Sequence, residues 1–132
     1  MDTAPAPLPP VSVLPGFSLD TATWDAMIKA AGPKDAVWLV RQIAVDLDRM
    51  QANLIASLAQ GEPAAIRRAS HALAGLGGTI GASDLHDAAQ HLNEAAHRRD
   101  VARVTALGGE VQVRLAAILA LVRHRLSAMA AT

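Results

Sequence analysis

Chemistry-bearing residues crowd together at 67 to 81, which read Arg-Arg-Ala-Ser-His-Ala-Leu-Ala-Gly-Leu-Gly-Gly-Thr-Ile-Gly. The imidazole of His71 is a nucleophile when its ring carries a free lone pair. If the stretch is helical, His71 lies two positions before Leu73, about 200° around the axis, and faces away from the apolar stripe. Gly75 and Gly78 follow it at four and seven positions, stacked on the same outward face. Arg67 and Arg68 precede it by four and three. The face therefore reads arginine pair, histidine, bare backbone. That order suits attack on a phosphoryl group held in a partner protein. Glycine lets the partner's surface reach the ring, and arginine offsets the transferred charge. The same residues also fit an incidental surface histidine on a poorly formed helix end. Gly77, four after Leu73, falls on the inward side, where it permits tight helix packing. Gly81 is placed to cap the helix C-terminus.

Other clusters carry less. His86, His91 and His97 are spaced by five and six, whereas a helical metal pair favours four, so we read them as solvated surface and expect no metal site. Gly75, Gly77, Gly78 and Gly81 do not make a dinucleotide fingerprint, because Ile80 stands where the third glycine belongs and no strand precedes them. No Gly-Lys-Ser/Thr follows, so there is no P-loop. Ser70 points about 100° away from His71 and makes no dyad with it. Asp46, Asp48 and Arg49 read as a solvated face. Without a nucleotide site the chain is not a complete kinase.

The elements that must position His71 follow from apolar spacings of three and four. One helix is predicted from about Pro33 to Gln60, with Val40, Ile43, Leu47, Met50, Leu54 and Leu58 on its stripe. A second runs from about Pro63 to Ile80 with Ile66, Ala69, Leu73, Leu76 and Ile80. A third opens at Ser83 as N-cap and carries Leu85, Ala88, Ala89, Leu92 and Ala96. A fourth is capped by Asp100 and carries Val104, Leu107, Val111, Leu115, Ile118, Val122 and Leu126. A short leading helix from about Asp20 to Ala30 holds Trp24, Met27 and Ile28. Short connections force antiparallel neighbours. The expected fold is all-α, an antiparallel up-down four-helix bundle with a short extra N-terminal helix over one end. Gly108-Gly109 inside the last helix marks either a kink or a close helix contact. Five of the seven prolines lie in the first fifteen residues. Residues 1–17 are therefore expected to be a proline-rich tail or linker, and 18–128 the bundle.

Composition bounds what such a bundle does. No cysteine is present, which excludes disulfides, thiolate zinc and a thiol nucleophile. Twelve basic and twelve acidic residues cancel, leaving no global field for nucleic acid or an anionic membrane. Aromatics are 2% of the chain, too few for base-stacking platforms. No apolar run reaches the roughly 18 residues of a membrane span, and the N-terminus does not read as a signal peptide. The expected compartment is the cytoplasm.

The chain resembles histidine-containing phosphotransfer (HPt) domains, whose motif is His-x-Leu-Lys-Gly, then Gly-Ala, then Leu. The matching residues here are His71, Leu73, Gly75, Gly81, Ala82 and Leu85. Leu92 and Asp100 are similar to the family's Leu-Glu and Gly-Asp positions, and Leu14-Pro15-Gly16-Phe17 through Trp24 to its opening segment. The resemblance covers roughly residues 14–127, with its specificity in 67–85. It implies that His71, through Nε2, exchanges a phosphoryl group with receiver-domain aspartates. It implies as partners a response-regulator receiver domain and a hybrid or sensor histidine kinase, with magnesium held in the receiver. The protein would be a monomeric phosphocarrier rather than a turnover enzyme, free-standing or the phosphotransfer module of a kinase. Two positions depart from the family. Ala74 stands where it has lysine, and Asn93 where an acidic or amide residue often lies near the histidine. Arg67, Arg68 and Asn93 are thereby candidates for phosphate stabilisation or docking, and Ala74, Gly75 and Gly78 for partner access. The alternative is an adapter that binds a receiver or kinase domain without being phosphorylated, which Ala74 favours and His71 opposes.

Overall fold

The computed structural model describes residues 19–131. The proline-rich segment 1–17 lies outside the described residues. Four helices follow in order: α1 (Thr21–Gln60), α2 (Pro63–Ile80), α3 (Ser83–His97) and α4 (Val101–Ala130). Each packs on its two neighbours in a ring, α1 on α2 and α4, α3 on α2 and α4, with no diagonal pair. This is the antiparallel four-helix bundle expected from the apolar spacing.

α1 is two helices in line. Gly32 is non-helical (φ 82°, ψ 163°) and Pro33 opens the longer segment, where its missing N–H costs no bond. The leading segment is the expected short helix. Asp20 caps it, accepting from Ala22 N and Thr23 N. Its backbone N–H also donates to Gly81 O at 2.7 Å, and Trp24 is buried with the Arg125 guanidinium 5.4 Å from its ring centre. The short helix is thus fastened over the end of the bundle where α2 turns into α3 and α4 finishes.

Gly81 shows why that end needs glycine. Its φ is +85°, and an added Cβ would sit 2.8 Å from Asp20 O. The left-handed turn and the close backbone approach both exclude a side chain. The helix that follows corrects one expectation. Ala82, not Ser83, is the N-cap, and it offers no side-chain hydrogen bond. Its N–H donates to Gly77 O at 2.8 Å and its carbonyl accepts from His86 N at 2.9 Å. The residue is fully buried, so tertiary packing and backbone bonding have replaced side-chain capping. Asp100 does cap α4, accepting from Arg103 N at 3.2 Å.

The core is the predicted set of stripes. Val40, Leu47, Leu54, Ile66, Leu73, Ile80, Leu85, Leu92, Val111, Leu115, Ile118 and Val122 are at most 2% exposed, each apolar side chain contributing about 1.5–3 kcal/mol on burial. Gly108 is a close contact and not a kink, since its added Cβ would lie 2.9 Å from Leu58 on α1 and α4 runs on unbroken to Ala130. By length and composition α4 is apolar enough to cross a membrane, which departs from the reading of the bare sequence. Its apolarity combines core residues Val111, Leu115, Ile118 and Val122 with many alanines, and the helix also carries Arg103, Glu110, Arg114, Arg123 and Arg125.

Candidate functional site

α2 is wedged between α1 and α3, so packing claims Ile66, Ser70, Leu73, Ala74, Gly77 and Ile80. What remains outside includes Arg67, Arg68, His71, Gly75 and Gly78. His71 is exposed near the middle of the helix and has no hydrogen-bond or ion-pair partner among the described residues. Its ring is therefore free to present either nitrogen. It lies in a shallow depression lined by Ala64, Arg67, Arg68 and Asn93. Arg67 and Arg68 are exposed, with no acidic partner among the described residues. Asn93 is half-buried on α3. The structure thus brings together four residues that the sequence singles out on separate grounds. One exposed imidazole, two unneutralised guanidinium groups and one amide share a single open concavity. Such a set supplies a nucleophile and charge-assisted donors for an anionic group.

Ser70 has no part in this. It is fully buried and its hydroxyl donates back to Ile66 O at 2.8 Å, as serine inside a helix commonly does.

The three access positions behave differently from one another. Gly75 is open, with nothing within 4 Å of the point a Cβ would occupy. Ala74 is a correction. It is 6% exposed, because three residues after His71 the helix has turned about 60° toward α3, and its methyl belongs to the α2–α3 seam. Gly78 is exposed but has a neighbour. Its backbone faces outward, but the His86 imidazole from α3 lies over it, with Nδ1 3.3 Å from where a Cβ would be. Gly77 plays the packing role expected of it, its Cβ position being 3.3 Å from His86 N on the α3 backbone.

His86 is the residue that sequence reasoning misses. Its spacing from His91 and His97 reads as solvated surface for all three. Those two are exposed, whereas His86 is half-buried and its Nδ1 lies 2.7 Å from Ala74 O. A signal is present in the chain, since His86, Gln90, Asn93 and His97 are spaced four, three and four. That spacing makes one row along α3, with Asn93 beside His71 and His86 over Gly78. Among the described residues, no three His, Asp or Glu side chains are grouped as a metal would need.

Comparison with known proteins identifies the family and the fold. The family model for the Hpt domain matches residues 37–131. No curated protein sequence matches significantly. Among solved structures the fold is similar to histidine-containing phosphotransfer protein B (HptB) from Pseudomonas aeruginosa PAO1. The TM-score is 0.75 at 22% sequence identity, over 83% of this chain and 94% of that one.

Proposed function

The chain belongs to the Hpt domain family, and from that premise we propose that it is a phosphocarrier of a multistep two-component relay, with His71 as phosphoacceptor. The observation that carries this reading is the unpartnered, exposed His71 ring in one depression with Arg67, Arg68 and Asn93. The neutral imidazole attacks the phosphorus of a receiver's aspartyl phosphate through Nε2. A P–N bond forms as the acyl P–O bond breaks, and the electron pair of that bond stays on the aspartate carboxylate. The Nδ1 proton is then free to leave to solvent. Return of the phosphoryl group to a second receiver is the same step reversed. Charge on the equatorial oxygens during transfer calls for nearby cations. Arg67 and Arg68 supply them from this side, and magnesium in the receiver's acidic pocket supplies them from the other. The phosphate enters from a hybrid or sensor histidine kinase through its receiver. We place the protein in the cytoplasm as a monomer.

A second reading rests on one observation, the alanine at the family's lysine position. On that reading the protein is an adapter that docks a receiver or kinase domain without taking phosphate. Incubation with phosphorylated receiver domains from the same genome separates the two. A phosphocarrier gains acid-labile label that His71→Gln abolishes with the melting temperature nearly unchanged. Label that persists in His71→Gln moves the site to another histidine. Stable receiver binding without label establishes the adapter.

A further inference from the structure

His86 lies on the transfer face in an arrangement with chemical consequences. A carbonyl oxygen only accepts, so the 2.7 Å contact with Ala74 O requires that Nδ1 carry the proton and donate it. That contact fixes the neutral tautomer, because Nε2 must then hold the lone pair. The ring edge facing α2 is Nδ1–Cε1, at 3.3 and 3.6 Å from the Cβ position of Gly78. Nε2 has no partner among the described residues, and no buried side-chain nitrogen or oxygen among them lacks one, so Nε2 reaches solvent. The notch at Gly78 is what allows the ring to lie this close to α2.

The position matters as much as the orientation. Gly78 is seven residues beyond His71, about 10 Å along the helix. A docked domain of standard size covers about 800 Å² on each partner, a patch of about 16 Å radius. A receiver patch centred on His71 therefore overlies His86 as well. Gly75, open and without a side chain, lies between the two histidines and holds nothing that would keep the partner off.

We propose that His86 is a specificity-determining docking residue, whose Nε2 accepts a hydrogen bond from a donor on the bound receiver domain. This rests on the phosphocarrier reading of His71. The bond to Ala74 O holds the ring in place before the partner arrives, so docking orders no long side chain there. A lysine or arginine side chain on that flank would present only donors. This chain presents an acceptor on the same flank and so selects a receiver surface of opposite hydrogen-bonding character.

The test uses the full chain with the receiver that labels wild type. His86→Asn retains a donor near the Nδ1 position and lacks Nε2, whereas His86→Gln carries an acceptor near the Nε2 position. We expect His86→Asn to melt with wild type and to weaken receiver binding at least fivefold. The transfer rate at saturating receiver should stay unchanged, with His86→Gln recovering part of the affinity. In wild type the ¹⁵N signals of His86 should show protonated Nδ1 and bare Nε2, and the Nε2 signal should move upfield when receiver is added. If wild type takes label while His86→Asn binds as tightly and the Nε2 signal stays still, His86 merely fills the notch and this proposal falls alone. If no receiver labels wild type, the reading of His71 falls and takes this one with it. Should His86→Asn fail to fold, the Nε2 signal of wild type decides.

Discussion

The same substitution at two glycines six residues apart, one inside α2 and one at its C-terminal cap, should act in opposite directions. Gly75 is helical and exposed, and an added methyl meets nothing within 4 Å. Alanine there gains helix propensity of about 1 kcal/mol, partly by reducing the freedom of the unfolded chain. About 110 ordered residues at about 2.1 cal/mol/K each give an unfolding entropy near 0.23 kcal/mol/K, so Gly75→Ala should melt about 4 °C higher. Gly81 has φ +85°, and its methyl would lie 2.8 Å from Asp20 O and 3.1 Å from the Thr23 side chain. The left-handed backbone costs a non-glycine residue about 1–2 kcal/mol. Relief of the clash must lengthen the 2.7 Å bond from Asp20 N to Gly81 O, worth about 1 kcal/mol more. Gly81→Ala should therefore melt about 10 °C lower. Thermal melts followed by circular dichroism at 222 nm, with urea titrations for the free energies, measure both. A destabilised Gly75→Ala, or a neutral Gly81→Ala, would refute the assignment of one glycine to access and the other to the turn.

Gly75→Leu should fold as wild type yet slow phosphotransfer and weaken receiver binding; transfer at the normal rate would move the docking face elsewhere. Arg68→Ala and Arg67→Ala separate charge support from docking. A slower transfer step at saturating receiver means the former, and weaker, more salt-sensitive association at an unchanged saturated rate means the latter. The Asp20 carboxyl is held below its ordinary 3.8, first by the Thr23 hydroxyl, then by the Thr23 and Ala22 backbone N–H groups. Its contribution is complete above the unfolded value and lost as pH falls through the folded one, so Asp20→Asn should flatten the acid side of a melting-temperature profile. Ala74→Lys should destabilise, by about 1–3 kcal/mol from overpacking the α2–α3 seam; a variant that melts with wild type and speeds transfer would put residue 74 back on the open face.

The fold is legible in the sequence because helix periodicity reports burial directly. Leu73 and Leu92 at helical spacing have to face inward, and Gly32-Pro33 has to break α1, whatever the tertiary detail. The position of His71 follows from the same arithmetic. The misplaced residues are those decided by a second helix. Ala74 is about 60° from His71, which is still outward for an isolated helix on a flat surface. α2 instead packs on two neighbours, so the buried arc extends past Leu73 on both sides. Ser83 has the side chain of an N-cap, but the turn is so short that Gly77 O captures Ala82 N first. Gly78 points outward, and only the side chain of His86, eight residues on and on another helix, decides that its notch is filled.

These displacements narrow the accessible strip of α2. Packing against α1 removes one flank and packing against α3 the other, taking Ala74 with it. At the C-terminal end Gly78 stays exposed, with the His86 ring against the place a side chain would take. The exposed strip runs from the arginine pair through His71 and Gly75 to Gly78, with Asn93 along one edge. A partner approaching it meets cationic side chains on the N-terminal side of the nucleophile, open backbone on the other, and an oriented imidazole acceptor beyond that. The cations favour an anionic acyl phosphate near His71, while the acceptor asks for a donor about two helical turns away. On the proposed reading, a receiver that satisfies both binds more tightly than one that satisfies the cations alone. If both proposals hold, the proposed phosphoacceptor His71 and the proposed docking residue His86 sit on different helices and are open to independent substitution.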